Sequence, residues 1–69
     1  MTAPAKQFVI YKDTASRFRW RLFAHNGRVI ADSGESYKYR EDCVDGARLV
    51  ASIASDALIW DGVNEDWLD

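Results

Sequence analysis

The chain has 69 residues, a formal net charge of −2 and only one cysteine, Cys43, and one histidine, His25. At that length a single core supplies roughly 3–5 kcal/mol, so small folds lean on a staple. An internal disulfide is excluded and a zinc site lacks ligands, which leaves pairing with a second copy.

Residues 1–6 read as a disordered lead-in, without the apolar stretch of a signal peptide. No apolar run approaches the roughly 20 residues of a membrane span. With its unpaired cysteine, the chain is expected in the reducing cytoplasm.

Phe8 to Lys12 is a short β-rich run, and Asp13 to Ser16 is the turn that follows it. From Arg17 to Asp32 the pattern is that of a β-hairpin with an Asn26-Gly27 turn. Side chains alternate faces along a strand, so Phe18, Trp20, Leu22 and Ala24 form one face with Val29 and Ala31, the core face. Arg17, Arg19, Arg21 and Phe23 form the other. A two-residue type I′ loop, with positive φ at both central residues, predicts Phe23 opposite Ile30, Leu22 opposite Ala31 and Arg21 opposite Asp32. The last is a cross-strand charge pair worth ~0.2–1 kcal/mol. It leaves Arg17 and Arg19 as the freer cations, and the Phe23–Ile30 pair asks for a cover.

Ser33 to Ser36 is a turn or bulge, with Tyr37 and Tyr39 just beyond it. From about residue 40 the period becomes helical, with Cys43, Ala47, Val50 and Ala54 on one stripe. Glu41 and Asp42 in the first turn oppose the positive end of the helix dipole. Gly46 costs a helix about 1 kcal/mol relative to Ala, so it marks close approach to the sheet or a partner. The helix is predicted to end near Ser55-Asp56. Ala57 to Trp60 then reads as a fourth strand, and residues 61–69 as an acidic tail whose Trp67 and Leu68 dock somewhere. The expected class is α+β: a β-β-β-α-β unit over residues 7–60, an antiparallel sheet with one helix packed on it.

Phe8-x-Ile10-Tyr11-x-Asp13, Phe18-Arg-Trp-Arg-Leu22, Asn26-Gly-x-Val-Ile30, Ser33-Gly-Glu-x-Tyr37 and Gly46-x-x-x-Val50 occur in an order and at spacings similar to the YegP-like family. That family consists of small bacterial and archaeal domains of unknown function. The resemblance covers about residues 8–53. It implies a β3-α-β unit that occurs as a tandem repeat or as one repeat paired with itself, two units joining into a continuous half-barrel sheet. A homodimer is the expectation for this chain. The resemblance carries no catalytic residues or cofactor, and Ser36 departs from the glycine common in the family.

Charge is strongly polarised. Residues 1–40 carry eight Lys/Arg against three Asp/Glu, and residues 41–69 one against eight. Mutual neutralisation, within the fold or across a dimer, is the simpler explanation, and a nucleic-acid face the sharper one. Arg17, Arg19 and Arg21 could track phosphates, yet single-strand binders interleave basic and aromatic groups on one surface. Phe18 and Trp20 point away, leaving Phe23 and Tyr11, and the acidic half repels a polyanion.

No catalytic constellation is present. Cys43 lies on a buried stripe and His25 at a hairpin tip, there is no Gly-x-Gly phosphate loop, and Asp61, Glu65, Asp66 and Asp69 fit no cation-loop spacing. The expected function is a non-enzymatic homodimeric interaction or scaffolding module without cofactor. Its candidate surface is Arg17, Arg19, Arg21, Phe23, Ile30 and Trp67, and an unidentified protein is its further partner. Nucleic-acid binding through the arginines is the alternative, and a small ligand held in the dimeric half-barrel is a second.

Overall fold

The computed structural model describes residues 6–68. Apart from Lys6, the expected lead-in lies outside the described residues. The elements run β1 (Gln7–Lys12), β2 (Phe18–Phe23), β3 (Val29–Asp32), α1 (Arg40–Ile53), β4 (Trp60–Asp61) and β5 (Asp66–Trp67). The first three strands form one antiparallel sheet in the order β1-β2-β3. The fold is α+β, as the patterning predicts.

Strand alternation decides which face packs. Phe8, Ile10, Phe18, Leu22 and Ala31 turn toward α1, where they surround Trp20, Cys43 and Ala47. Those three are the only buried apolar residues among those described. The Phe8 ring meets Trp20 edge-on at 5.2 Å, a geometry favoured by the aromatic quadrupole. Gly46 marks close approach to the sheet side. A Cβ there would stand 2.6 Å from Tyr37 Oη, so the missing methyl is the notch that admits the phenol. Tyr37 is held in turn by paired backbone bonds with Phe18, 2.8 Å each way.

Both hairpins of the sheet use the same turn. Asp13 N–H donates to Arg17 O and Ser16 N–H to Asp13 O; Ala24 N–H donates to Arg28 O and Gly27 N–H to Ala24 O. The residue in the left-handed region is Ser16 (φ 61°) in the first and Gly27 (φ 81°) in the second. The second loop therefore spans three residues, His25 to Gly27, and the predicted two-residue type I′ loop is corrected: Asn26 does not take positive φ.

The longer loop shifts the pairing by one. Phe23 faces Val29, not Ile30. A bulge at Ile30 then restores the predicted pairs Leu22–Ala31 and Arg21–Asp32. The bulge has a physical reason, because a one-residue slip carried down β3 would turn Ala31 to solvent. Val29, expected in the core, is instead half exposed, and Ile30 is 63% exposed.

The C-terminal third departs most from expectation. The strand predicted over Ala57 to Trp60 does not join the sheet. β4 begins only at Trp60 and pairs with β5, so the expected acidic tail folds back as a second small hairpin. Trp60 and Trp67 sit opposite one another with rings edge-on at 5.0 Å. Asp61 caps the turn, its carboxylate accepting from Val63 N, Asn64 N and Asn64 Nδ2. Neither strand of this hairpin touches α1 or the sheet.

Candidate interaction surface

Two surfaces stand out, and they are built differently. The first is the sheet face turned away from α1. Register places Val9 opposite Arg21 and Tyr11 opposite Arg19 on this face, with Gln7 opposite Phe23 at its end. The Arg21 guanidinium lies over the Tyr11 ring, 4.4 Å from its centroid, a cation–π contact worth ~0.5–1 kcal/mol at an exposed site. Arg19 Nε pairs with Asp13 Oδ2 at 2.8 Å, the one ion pair among the described residues. Asp13 Oδ1 meanwhile accepts from the backbone of Ala15 and Arg17. The Arg19 hydrogen bond, then the Arg17 N–H, hold the Asp13 carboxyl below its ordinary pKa. Arg17 Nε donates to Ser36 Oγ at 2.8 Å.

These contacts reverse the expected ranking of the arginines. Arg21 and Asp32 are opposite in register but form no ion pair, because Asp32 Oδ1 accepts from Gly34 N–H and Arg21 turns to Tyr11. Arg17 and Arg19 are the engaged ones. Arg21 is exposed and, among the described residues, has no carboxylate partner.

The second surface is apolar and C-terminal. Leu49, Ile53, Leu58, Ile59, Trp60, Val63, Trp67 and Leu68 are all exposed, whereas the rest of the described chain exposes only Val29, Ile30 and Tyr39 among its large hydrophobic residues. Trp67, expected to dock, finds Trp60 and still stays 57% exposed. Of the six candidate residues, the structure brings Arg19, Arg21 and Phe23 onto the open sheet face. Arg17 stands at its margin, Ile30 on the bulge and Trp67 on the separate hairpin.

Cys43 is fully buried, and burial pushes its thiol pKa up, opposite to an activated nucleophile. Among the described residues no three His, Cys, Asp or Glu side chains gather as a metal site. No described helix is long and apolar enough to cross a membrane.

Residues 13–61 match the family model described as a domain of unknown function, DUF1508. The chain belongs to the DUF1508 family. A UPF0339 protein of Treponema denticola is 46% identical over 55 residues, which cover 80% of this chain and 93% of that one. Another, from the archaeon Methanosarcina acetivorans, is 40% identical over 53 residues, covering 77% and 90%. This chain is similar in fold to the NMR solution structure of a protein from Haloferax volcanii, with a TM-score of 0.76 and 33% identity. That match covers 87% of this chain and all of the other. The YegP-like resemblance agrees with this membership. DUF1508 domains occur in bacteria and archaea and are described as of unknown function.

Proposed function

We propose that this DUF1508 domain is a non-enzymatic, self-pairing interaction module that works as a homodimer in the cytoplasm. One observation carries the reading: the segment after α1 stands off the body with its apolar side chains uncovered. The radius of gyration is 14.2 Å, against about 11 Å for a compact chain of this length. Leu58, Ile59 and Trp60 lie in the projecting segment, each about half exposed or more. Full burial of such a side chain contributes about 1.5–3 kcal/mol, so covering the exposed half of each adds about 1 kcal/mol apiece, a substantial sum beside the ~3–5 kcal/mol of a core of this size.

The length of one relative supports the same reading. The UPF0339 protein in the ptx operon 5′ region of Stutzerimonas stutzeri is 45% identical over 49 residues, yet these make up only 43% of its length. That chain has room for two units where this one has room for one. In the dimer two three-stranded sheets join as a half-barrel, and the terminal apolar segments supply the contact between copies. A protein partner would dock on this paired scaffold.

Ile59→Glu tests the reading. Position 59 is exposed in the single chain, so the variant keeps its circular dichroism spectrum while its light-scattering mass falls from dimer to monomer. A wild-type protein already monomeric at high micromolar concentration, or a variant that stays dimeric, sinks it.

A further inference from the structure

The open face of the sheet has properties that self-pairing does not explain. Its cations are interleaved with aromatic rings on one surface. Arg21 lies on Tyr11, Tyr11 faces Arg19 across the β1–β2 ladder, and Phe23 continues the row along β2. Alternation turns Phe18 and Trp20 of the arginines' own strand into the core and leaves Tyr11 and Phe23 as the rings of this face. The rings come instead from the neighbouring strand and from the strand's far end.

We propose that this face binds single-stranded nucleic acid, with Arg21 on a phosphate and Tyr11 and Phe23 against bases. Arg21 is exposed and already lies over a ring, 4.4 Å from its centroid, and guanidinium and aromatic groups are the side chains that stack unpaired bases. A sheet with helix on one side and basic-aromatic groups on the other is a geometry suited to splayed bases, which a duplex keeps stacked inside.

The acidity behind the net charge of −2 does not lie on this face. The acidic excess lies in residues 41–69, on α1 behind the sheet and on the terminal hairpin, which does not touch the sheet. Of the two carboxylates at this face, Asp13 is paired with Arg19 and the β1–β2 turn, and Asp32 accepts from Gly34 N–H while keeping its charge. An acidic peptide would satisfy the cations but supply no π-faces for Tyr11 and Phe23, which favours nucleic acid between the two.

Fluorescence anisotropy with labelled oligo-U and oligo-dT of roughly ten nucleotides, a length within the usual site sizes, tests the assignment. The full-length chain is titrated at low and at physiological salt, with a duplex and polyglutamate as competitors. Binding is expected to weaken as salt rises, and Arg21→Gln and Arg21→Glu weaken it further. Tyr11→Leu, which retains an apolar side chain for the fold, reduces affinity by about 5- to 150-fold, the range for one lost stacking contact. Circular dichroism of each variant should match the wild type. The assignment is overturned by no binding up to about 10⁻⁴ M at low salt. It is equally overturned by folded Arg21 and Tyr11 variants that bind as the wild type does, or by polyglutamate or duplex competing as well as single strands.

Discussion

Gly46→Ala sets two effects of opposite sign against each other. In an exposed helix the change stabilises by about 1 kcal/mol, because Gly is that much worse than Ala in a helix interior. Here the added Cβ would stand 2.6 Å from Tyr37 Oη and 3.1 Å from its Cζ, with Trp20 Nε1 at 3.7 Å. The phenol cannot withdraw easily, since its backbone is pinned to Phe18 by two 2.8 Å hydrogen bonds. The helix must lift instead, loosening Cys43 and Ala47 in the core. Overpacking of this kind costs about 1–3 kcal/mol, and a rigid ring at sub-contact distance falls in the upper part of that range, leaving a net loss of about 1–2 kcal/mol. Tyr37→Phe removes the closest atom, so in that background Gly46→Ala should cost at least 1 kcal/mol less, roughly neutral overall. Urea unfolding of the four proteins at one fixed protein concentration, with unchanged m-values, measures the cycle. If Gly46→Ala stabilised both backgrounds equally, the close approach of helix and Tyr37 would be refuted.

Ser16 holds the left-handed position that Gly27 holds in the second turn. Ser16→Gly should therefore raise stability by about 1 kcal/mol in urea unfolding, whereas Gly27→Ala lowers it by a similar amount. Acid should destabilise the fold through Asp13. Its pKa is lowered in the folded state, so the unfolded chain takes the proton first. The stability it contributes is present above the ordinary carboxylate pKa and is lost as pH falls through the lowered value. Unfolding midpoints measured from about pH 6 down to about pH 2 should show this loss, shallower in Asp13→Asn. Asp61, lowered chiefly by its hydrogen bonds with Asn64, adds a similar but separate slope.

The sheet and helix were legible because each buries one face and shows it as a period. Alternation from Phe18 to Leu22 names the core face, and the spacing of Cys43, Ala47 and Val50 names the helix stripe. Gly46 was legible for the same reason, as a residue that costs helix stability and so needs a neighbour. The second hairpin was half legible. Asn26-Gly27 announces a turn but serves two loop lengths, and the Ile30 bulge offsets the longer one, so the strand bodies register as predicted while Phe23 and Val29 do not.

Arg21 was misread because its partner lies diagonally on β1, and that register depends on a turn whose left-handed residue is a serine. The terminal hairpin has a signal of its own in the sequence. Trp60-Asp61 and Asp66-Trp67 mirror one another around four turn residues.

Self-pairing is the central claim, and the mass of the protein in solution tests it most directly. Sedimentation equilibrium from low to high micromolar concentration should converge on twice the 7.9 kDa of the chain. The thermal midpoint should also rise with concentration, as dissociation-coupled unfolding requires. A mass of 7.9 kDa at every concentration, with a midpoint that does not move, would contradict the account.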